Sequence, residues 1–244
     1  MTIAMILAAG RGERMRPLTD GTPKPLLRAG GRPLIVWQIE ALARAGFSDI
    51  VINVAHDGDL LMAALGDGTA FGVRIRWSRE REPLETAGGV ATAIPLLGPG
   101  PVLIVSGDVW TRFDYATLVA RIDAMAADPA AARAHLVMVP NPPYHPEGDF
   151  ALRRGRLALA AEDRLTFGNI GVYDTALFAG MPRGVGLKML PLYRDWIDRG
   201  LVSGEYYEGA WANVGTPDDL RALDAMLTGS SRLATGPASA DAGT

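Results

Sequence analysis

The chain has 244 residues, of which 48% are hydrophobic and 21% charged, and its formal net charge at pH 7 is −3. These values indicate a globular protein with a real core, and they exclude a basic surface for nucleic acid or anionic membranes. The absence of cysteine excludes disulfides, thiolate zinc sites and a thiol nucleophile. No apolar run reaches about 18 residues and no signal peptide is recognisable, so we expect a cytoplasmic protein.

The first predicted strand, from Ile3 to Leu7, runs into a glycine loop that is rich in cations. The loop residues with little or no side chain are Ala8, Ala9, Gly10 and Gly12. A nucleotide can approach the backbone there, and exposed N–H groups can point at phosphate oxygens. The cations that we expect beside a triphosphate are Arg11, Arg14, Arg16 and Lys24. The glycines alone also suit an ordinary strand-to-helix turn, but the cations favour phosphate binding.

Two better-known phosphate-binding loops are excluded. The chain contains no glycine followed after four residues by Gly-Lys-Ser or Gly-Lys-Thr, so it has no P-loop. A dinucleotide loop needs a third glycine three residues after Gly12, and that position is Met15. An NAD-dependent oxidoreductase is therefore disfavoured.

Helices alternate with apolar strands between the loop and about residue 140. The patterns predict helices near 33–45, 57–65, 86–97 and 115–126, and strands near 49–54, 73–78, 102–105 and 135–139. Alternation at this spacing indicates βαβ units with right-handed crossovers. The predicted fold class is α/β, a Rossmann-like, mostly parallel sheet flanked by helices.

The pattern changes after residue 140. Residues 141–146 include three prolines and predict a rigid loop. Closely spaced strands are predicted near 149–153, 156–160, 165–174 and 201–207, with helices near 187–199 and from residue 217. We expect one domain over 1–227, with an NTP-binding part at about 1–140 and a small mixed β region at about 141–227. The small and polar residues 228–244 predict a disordered tail.

The segment Ser106-Gly107-Asp108 follows the predicted strand at 102–105 directly. Open α/β sheets bind ligands at the carboxyl ends of their strands, and a carboxylate beside a phosphate-binding loop is a natural ligand for Mg²⁺. A carboxylate that merely caps the next turn is the alternative.

The string from Leu7 to Thr19, followed by Pro23-Lys24-Pro25-Leu26, resembles the signature of sugar-1-phosphate nucleotidyltransferases. The resemblance extends over roughly residues 3–227 and implies the nucleotide-diphospho-sugar transferase type of fold. It makes residues 141–227 the sugar-binding part.

The resemblance also implies roles for single residues. Arg14 would contact the departing pyrophosphate, Lys24 would lie beside the reacting phosphates, and Asp108 would bind Mg²⁺ as the cofactor. Glu85 and Gly88 would border the nucleobase, although Thr86 between them would also cap a helix there.

One departure from the family pattern stands in the segment 211–216. The position that usually holds the second metal carboxylate is Asn213 in this chain, and an amide oxygen can ligate Mg²⁺ without a carboxylate's charge. The resemblance further implies that the sugar phosphate is bound by Asp149, Asn169, Lys188 and Glu205. Taken alone, Asn169 also suits a polar strand edge and Lys188 a solvated helix start.

The implied enzyme transfers a nucleotidyl group from an NTP to a sugar 1-phosphate and releases pyrophosphate. Within the family, the motif spacing most resembles the uridylyltransferases of cell-wall recycling, so we expect UTP and N-acetylmuramate 1-phosphate. Mannose-1-phosphate guanylyltransferases are the nearest alternative. Asn213 motivates another, a non-catalytic nucleotide-sugar binder. We expect small-molecule substrates as partners, no nucleic acid or membrane, and a monomer or dimer.

Overall fold

The computed structural model describes residues 2–128, 132–159 and 162–234. The strands are β1 (Ile3–Leu7), β2 (Arg28–Ala29), β3 (Arg32–Pro33), β4 (Asp49–Val54), β5 (Arg74–Arg79), β6 (Pro101–Ser106), β7 (Val109–Thr111), β8 (Ala134–Val139), β9 (Phe150–Arg153), β10 (Arg156–Ala158), β11 (Arg164–Asp174), β12 (Val202–Tyr206) and β13 (Trp211–Asn213). The α-helices are α1 (Leu34–Arg44), α2 (Gly58–Leu65), α3 (Glu85–Leu97), α4 (Ala116–Ala127), α5 (Met189–Asp198) and α6 (Pro217–Ala234).

A nine-stranded sheet, in the order β5-β4-β1-β6-β11-β8-β12-β10-β9, forms the centre of the molecule. The strands β5, β4, β1 and β6 are parallel neighbours, as the predicted βαβ units require. From β1 the chain first builds outward through β4 and β5, and then returns to place β6 on the other side of β1. The strand order therefore reverses between β1 and β6, which creates a crevice at their carboxyl ends.

The second part of the chain continues the same sheet. Strand β11 lies between β6 and β8 and is antiparallel to both, while β12 is parallel to β8. The predicted α/β sheet flanked by helices is confirmed. The mixed region, however, is an extension of the main sheet and is interleaved with its first part through β11.

Helices cover both faces of the sheet because each presents an apolar stripe. One apolar cluster joins Ile35 of α1, Leu61 of α2 and Ile122 of α4, and another joins Val90 of α3 and Trp196 of α5. A third, smaller cluster packs the buried Met15 of the glycine loop against α6 and β7. This last contact anchors the loop beside the sheet edge where the crevice opens.

The structure corrects the prediction for the end of the chain. Helix α6 continues through Gly229 to Ala234, where the sequence predicts a tail. One glycine costs a helix only about 1 kcal/mol, so Gly229 alone does not end the helix. The rest of the predicted tail, residues 235–244, lies outside the described residues. Among the described residues, no helix is both long and apolar enough to cross a bilayer.

Ion pairs to a buried carboxylate join the first residue of β4 to the neighbouring strand β5. The Asp49 carboxylate is buried and accepts hydrogen bonds from the guanidinium groups of Arg74 and Arg76. Burial alone would raise the pKa of Asp49, but these two hydrogen bonds outweigh it and hold that pKa below its ordinary value of 3.8. The pair therefore stabilises the folded protein most when Asp49 is ionised.

Replacing Asp49 with asparagine is expected to lower the free energy of unfolding at neutral pH by about 1.5–3 kcal/mol, because a buried, charge-assisted pair is lost. A lowered folded pKa stabilises above the unfolded pKa, and this stabilisation is lost as the pH falls through the folded pKa. The wild type and Asp49→Asn should therefore converge below pH 3.8. Urea unfolding of both proteins, from neutral pH to below pH 3.8, tests this prediction. An equal loss of unfolding free energy in Asp123→Asn, on the exposed side of α4, would contradict it.

Candidate active site

A cleft of about 530 Å³ opens at the carboxyl ends of β1, β4 and β6. The glycine loop after β1 forms one wall, and the residues around the start of α3 form the other. Gly107 lets β1 and β6 come together at its floor, since a Cβ there would lie 3.0 Å from the Leu7 carbonyl oxygen. The cleft therefore lies where the strand order reverses, which is the usual ligand site of an open α/β sheet.

Most of the residues predicted to bind the nucleotide and to act in catalysis meet in this cleft. The predicted residues that line it are Ala8, Ala9, Gly10, Gly12, Arg14, Lys24, Glu85 and Asp108. Arg11 also lines the cleft, whereas Arg16 lies outside the lining and pairs with Asp20. The expectation that Arg16 faces the phosphates is therefore wrong.

Lys24 reaches across the cleft to the end of β6. Its Nζ lies 2.5 Å from Asp108 Oδ2, and its side chain is only 11% exposed. Gly12 makes room for the lysine stem, because a Cβ at Gly12 would lie 3.1 Å from Lys24 Cβ. Gly12 has φ 64°, a left-handed conformation that favours glycine. The loop thus holds the charged Lys24 side chain beside the Asp108 carboxylate.

A short ladder brings Asn213 beside Asp108. Strand β13 pairs with β7 so that Asn213 lies opposite Val109, and the Val214 N–H donates to the Asp108 carbonyl oxygen at 2.9 Å. Asp108 Oδ1 and Asn213 Oδ1 are both buried and have no hydrogen-bond partner among the described residues. Buried oxygens that lack a partner are costly unless a donor or a cation joins them.

These oxygens are of the type that Mg²⁺ prefers, so the residues present fit such a cation. Within the described residues, no three histidine or carboxylate side chains form a denser ligand group. A cation held by these two oxygens would have the carboxylate of Asp108 and the amide oxygen of Asn213 as protein ligands.

A second cavity, of about 400 Å³, adjoins Asn213 and is called the acceptor pocket below. Two of the predicted sugar-binding residues, Asp149 and Asn169, line it together with aromatic side chains. Asp149 is held by the Phe167 N–H at 2.8 Å and by His145 at 3.2 Å. Asn169 lies in an irregular stretch of β11 with φ 57°. The pocket can thus offer polar groups and aromatic faces to a sugar.

In the sequence, Lys188 lies between a residue bonded to the start of α3 and a residue that lines the acceptor pocket. It precedes α5 and is exposed, and it lines neither cavity. On one side of it, Leu187 is hydrogen-bonded through its backbone to the start of α3; on the other, Leu190 lines the acceptor pocket. Its predicted contact with the sugar phosphate therefore stays a prediction.

Gly88 lies at a close contact between α3 and the loop before α5. A Cβ there would lie 2.2 Å from the Val185 carbonyl oxygen, so the glycine lets the loop before α5 lie directly on α3. The Gly88 N–H is donated to the Leu187 carbonyl oxygen at 3.2 Å and lies outside the cleft lining. It is therefore already used, and the prediction that the backbone of Gly88 reads the base is not supported. Glu85 does face the cleft, with φ 58°.

Glu205 does not line the acceptor pocket as predicted. Side chains alternate along β12, and Gly204 faces Leu152 and Leu157, which pack with the aromatic residues of that pocket. Glu205 points to the other face of the sheet, where its carboxylate lies 3.1 Å from Nε2 of the buried His135. Alternation is visible in the sequence, but which face adjoins the pocket is set by long-range pairing.

Sequence reasoning also missed Tyr144, in the proline-rich loop between the two parts. Tyr144 lines the acceptor pocket beside Asn213. Partial burial raises the pKa of its hydroxyl, and hydrogen bonding with the Asn213 side chain opposes the rise. The charges of Asp219 and Asp108 add to the rise, while that of Arg14 opposes it. An aromatic residue in a rigid loop was the available signal. Asn53 and Glu80, which line the cleft, were also missed.

Comparison with known proteins places the chain among nucleotidyl transferases. The nucleotidyl transferase family profile matches residues 3–144. An N-acetylmuramate alpha-1-phosphate uridylyltransferase of Neisseria meningitidis serogroup B is 46% identical over 91% of this chain and 97% of its own. One from Caulobacter vibrioides is 34% identical over 92% and 96%. The inositol-1-phosphate CTP transferase structure from T. maritima shares the fold, with a TM-score of 0.75, 18% identity and coverage of 95% and 96%.

Proposed function

The chain belongs to the nucleotidyl transferase family, and on that premise we propose that it transfers the uridylyl group of UTP to N-acetylmuramate α-1-phosphate. The observation that carries the reaction type is the meeting of the phosphate loop, Lys24 and Asp108 in one cleft. A second pocket is lined by Asn213, which the ladder of β7 and β13 brings near Asp108. The choice of base and sugar rests on the two uridylyltransferase relatives. A cytoplasmic location, where UTP is made, belongs to the same proposal.

The reaction is an in-line displacement at the α-phosphorus of UTP. An oxygen of the sugar 1-phosphate forms the new P–O bond as the bond to the leaving pyrophosphate breaks. The attacking phosphate is already ionised at neutral pH, so the protein needs no general base. Arg14 and the loop N–H groups stabilise pyrophosphate, Lys24 neutralises the α-phosphate, and Lys188 holds the acceptor phosphate.

Mg²⁺ belongs to the proposal as the cofactor. Asp108 and Asn213 would hold it through the two oxygens that have no other described partner. Bound there, it would supply positive charge to the phosphate oxygens.

Pyrophosphate release tests the proposal. Each of the four NTPs is paired with the 1-phosphates of N-acetylmuramate, N-acetylglucosamine, glucose and mannose, at several Mg²⁺ concentrations. Release with UTP and N-acetylmuramate 1-phosphate alone is the expected result. Release with GTP and mannose 1-phosphate would favour the guanylyltransferase alternative, for which a Mycobacterium tuberculosis relative is 27% identical over 88% of this chain. UTP binding without release under any condition would favour a non-catalytic binder.

Replacing Asn213 with aspartate is expected to lower the Mg²⁺ concentration for half-maximal rate by about threefold to tenfold, because a second carboxylate adds charge to the site. Direct calorimetric titration with Mn²⁺ should show the same tightening without any turnover. Asn213→Ala should move both quantities in the opposite direction. If neither variant alters metal affinity, Asn213 is not a ligand.

A further inference from the structure

Two buried side chains connect the phosphate loop to the opposite wall of the cleft. The Ala8 N–H donates to Asn53 Oδ1 at 2.8 Å, and Asn53 Nδ2 donates to Glu80 Oε1 at 2.7 Å. The Leu84 N–H donates to Glu80 Oε2 at 3.1 Å. Asn53 and Glu80 are called the Asn53–Glu80 bridge. It runs from the first residue of the loop to the residue before Glu85.

The fold makes space for this bridge beneath the cleft. Asn53 and Glu80 are 3% and 7% exposed, and both line the cleft. On the other side, a Cβ at Gly89 would lie 2.8 Å from Asn53 Nδ2 and 2.9 Å from Glu80 Oε1. Burial raises the pKa of Glu80, while the bonds from Asn53 and Leu84 oppose the rise. Polar atoms so deeply buried need their partners.

The donors and acceptors of the bridge fix which residue types can form it. Both ends are backbone N–H groups, which can only donate. An amide side chain offers one acceptor and one donor group, so it passes the direction of hydrogen bonding along. One member must therefore offer two acceptors, and Glu80 does so as a carboxylate. Two amides would leave two donors facing each other in the centre.

We propose that the Asn53–Glu80 bridge is a positioning element that holds the phosphate loop at a fixed distance from the Leu84–Glu85 wall, so that an NTP is bound at both ends at once. The inference rests on the proposed function, since it requires a nucleotide in this cleft. Neither residue is assigned a contact with the nucleotide; each acts through a backbone N–H. The bridge also fixes Leu84, the residue before Glu85. Glu85 has a left-handed backbone conformation, with φ 58°, that must be held by its surroundings.

The donor–acceptor count supplies a sharp test. Glu80→Gln should raise the Kd for UTP about tenfold to a hundredfold, because a buried hydrogen-bond donor loses its acceptor. The Kd is measured by calorimetry in the absence of sugar 1-phosphate. The KM for the sugar phosphate should stay near the wild-type value. The double variant Asn53→Asp with Glu80→Gln should recover most of the UTP affinity. In it, the carboxylate introduced at position 53 would accept from the Ala8 N–H and from the amide introduced at position 80, whose carbonyl oxygen would accept from the Leu84 N–H.

Glu82→Gln is the matched control, since Glu82 is an exposed glutamate two residues further along the same segment. It should bind UTP as the wild type does. Should Glu80→Gln fail to fold, Asn53→Asp takes its place, because it sets two carboxylates face to face. The double variant must then bind UTP more tightly than Asn53→Asp does.

Three outcomes would overturn the inference: unchanged UTP affinity in Glu80→Gln, a rise in the KM for the sugar phosphate equal to the rise in the Kd for UTP, or no recovery in the double variant. If the wild type binds none of the four NTPs, the proposed function falls and the bridge's role falls with it. If the wild type binds UTP and one of the three outcomes is seen, only the inference falls.

Discussion

Asp108→Ala is expected to lower the rate of pyrophosphate release by about a thousandfold or more while the protein stays folded. The side chain has one oxygen on Lys24 at 2.5 Å and the other buried without a described partner beside Asn213. Its removal therefore takes away both the anion that holds Lys24 and the carboxylate that is proposed to bind the metal. Single-turnover measurement with saturating UTP and sugar phosphate isolates this loss from substrate binding.

The fold should tolerate this change because the ladder beside it uses the Asp108 backbone, whose carbonyl accepts from Val214. Circular dichroism and the thermal midpoint are the checks on folding. Asp123→Ala removes an exposed aspartate of α4 outside the cleft and serves as the matched control. Wild-type activity in Asp108→Ala would remove this residue from the site.

The sequence predicted local features of this site better than its long-range ones. Strand β4 has the predicted limits, 49–54, because a short apolar run between polar turns carries its own signal. Asp108 could likewise be assigned to the end of β6 from the neighbouring residues alone. Both predictions depend on periodicity over a few residues, which the sequence displays directly.

The relation between Asp108 and Asn213 could not be worked out from local pattern. It depends on β7 and β13, two strands of three residues each that pair across about a hundred positions of the chain. Such strands are too short to show alternation. Only the resemblance to a known family suggested that the two residues meet, and the ladder now gives the physical reason.

The prediction for Glu205 failed for a related reason. Side-chain alternation puts Ser203 and Glu205 on one face of β12, but it does not say which face adjoins the acceptor pocket. That choice is made by the pairing of β12 with β8, which sets Ser203 opposite His135. The Asn53–Glu80 bridge was missed likewise, because its partners come from three separate segments.

Lys24→Met is expected to lower the maximal rate about a hundredfold to a thousandfold, with a smaller effect on the KM for UTP. The methionine keeps most of the apolar stem that packs against Gly12, so the loss is mainly that of a fixed and largely buried positive charge. Lys24→Arg keeps the charge but presents a planar fork in place of a compact ammonium, so it should restore only part of the rate. An unchanged rate in Lys24→Met would exclude a role for this charge in the chemical step.

Because Lys24 Nζ and Asp108 Oδ2 are in direct contact, the two substitutions should not be additive. Each single variant already disrupts the charge arrangement that the other residue needs, so the double variant Lys24→Met with Asp108→Ala should be little slower than Asp108→Ala alone. Additive losses would show instead that Lys24 acts on the phosphates independently of the carboxylate. The double-mutant cycle thus distinguishes a lysine that acts together with Asp108 from one that neutralises the phosphate charge independently of Asp108.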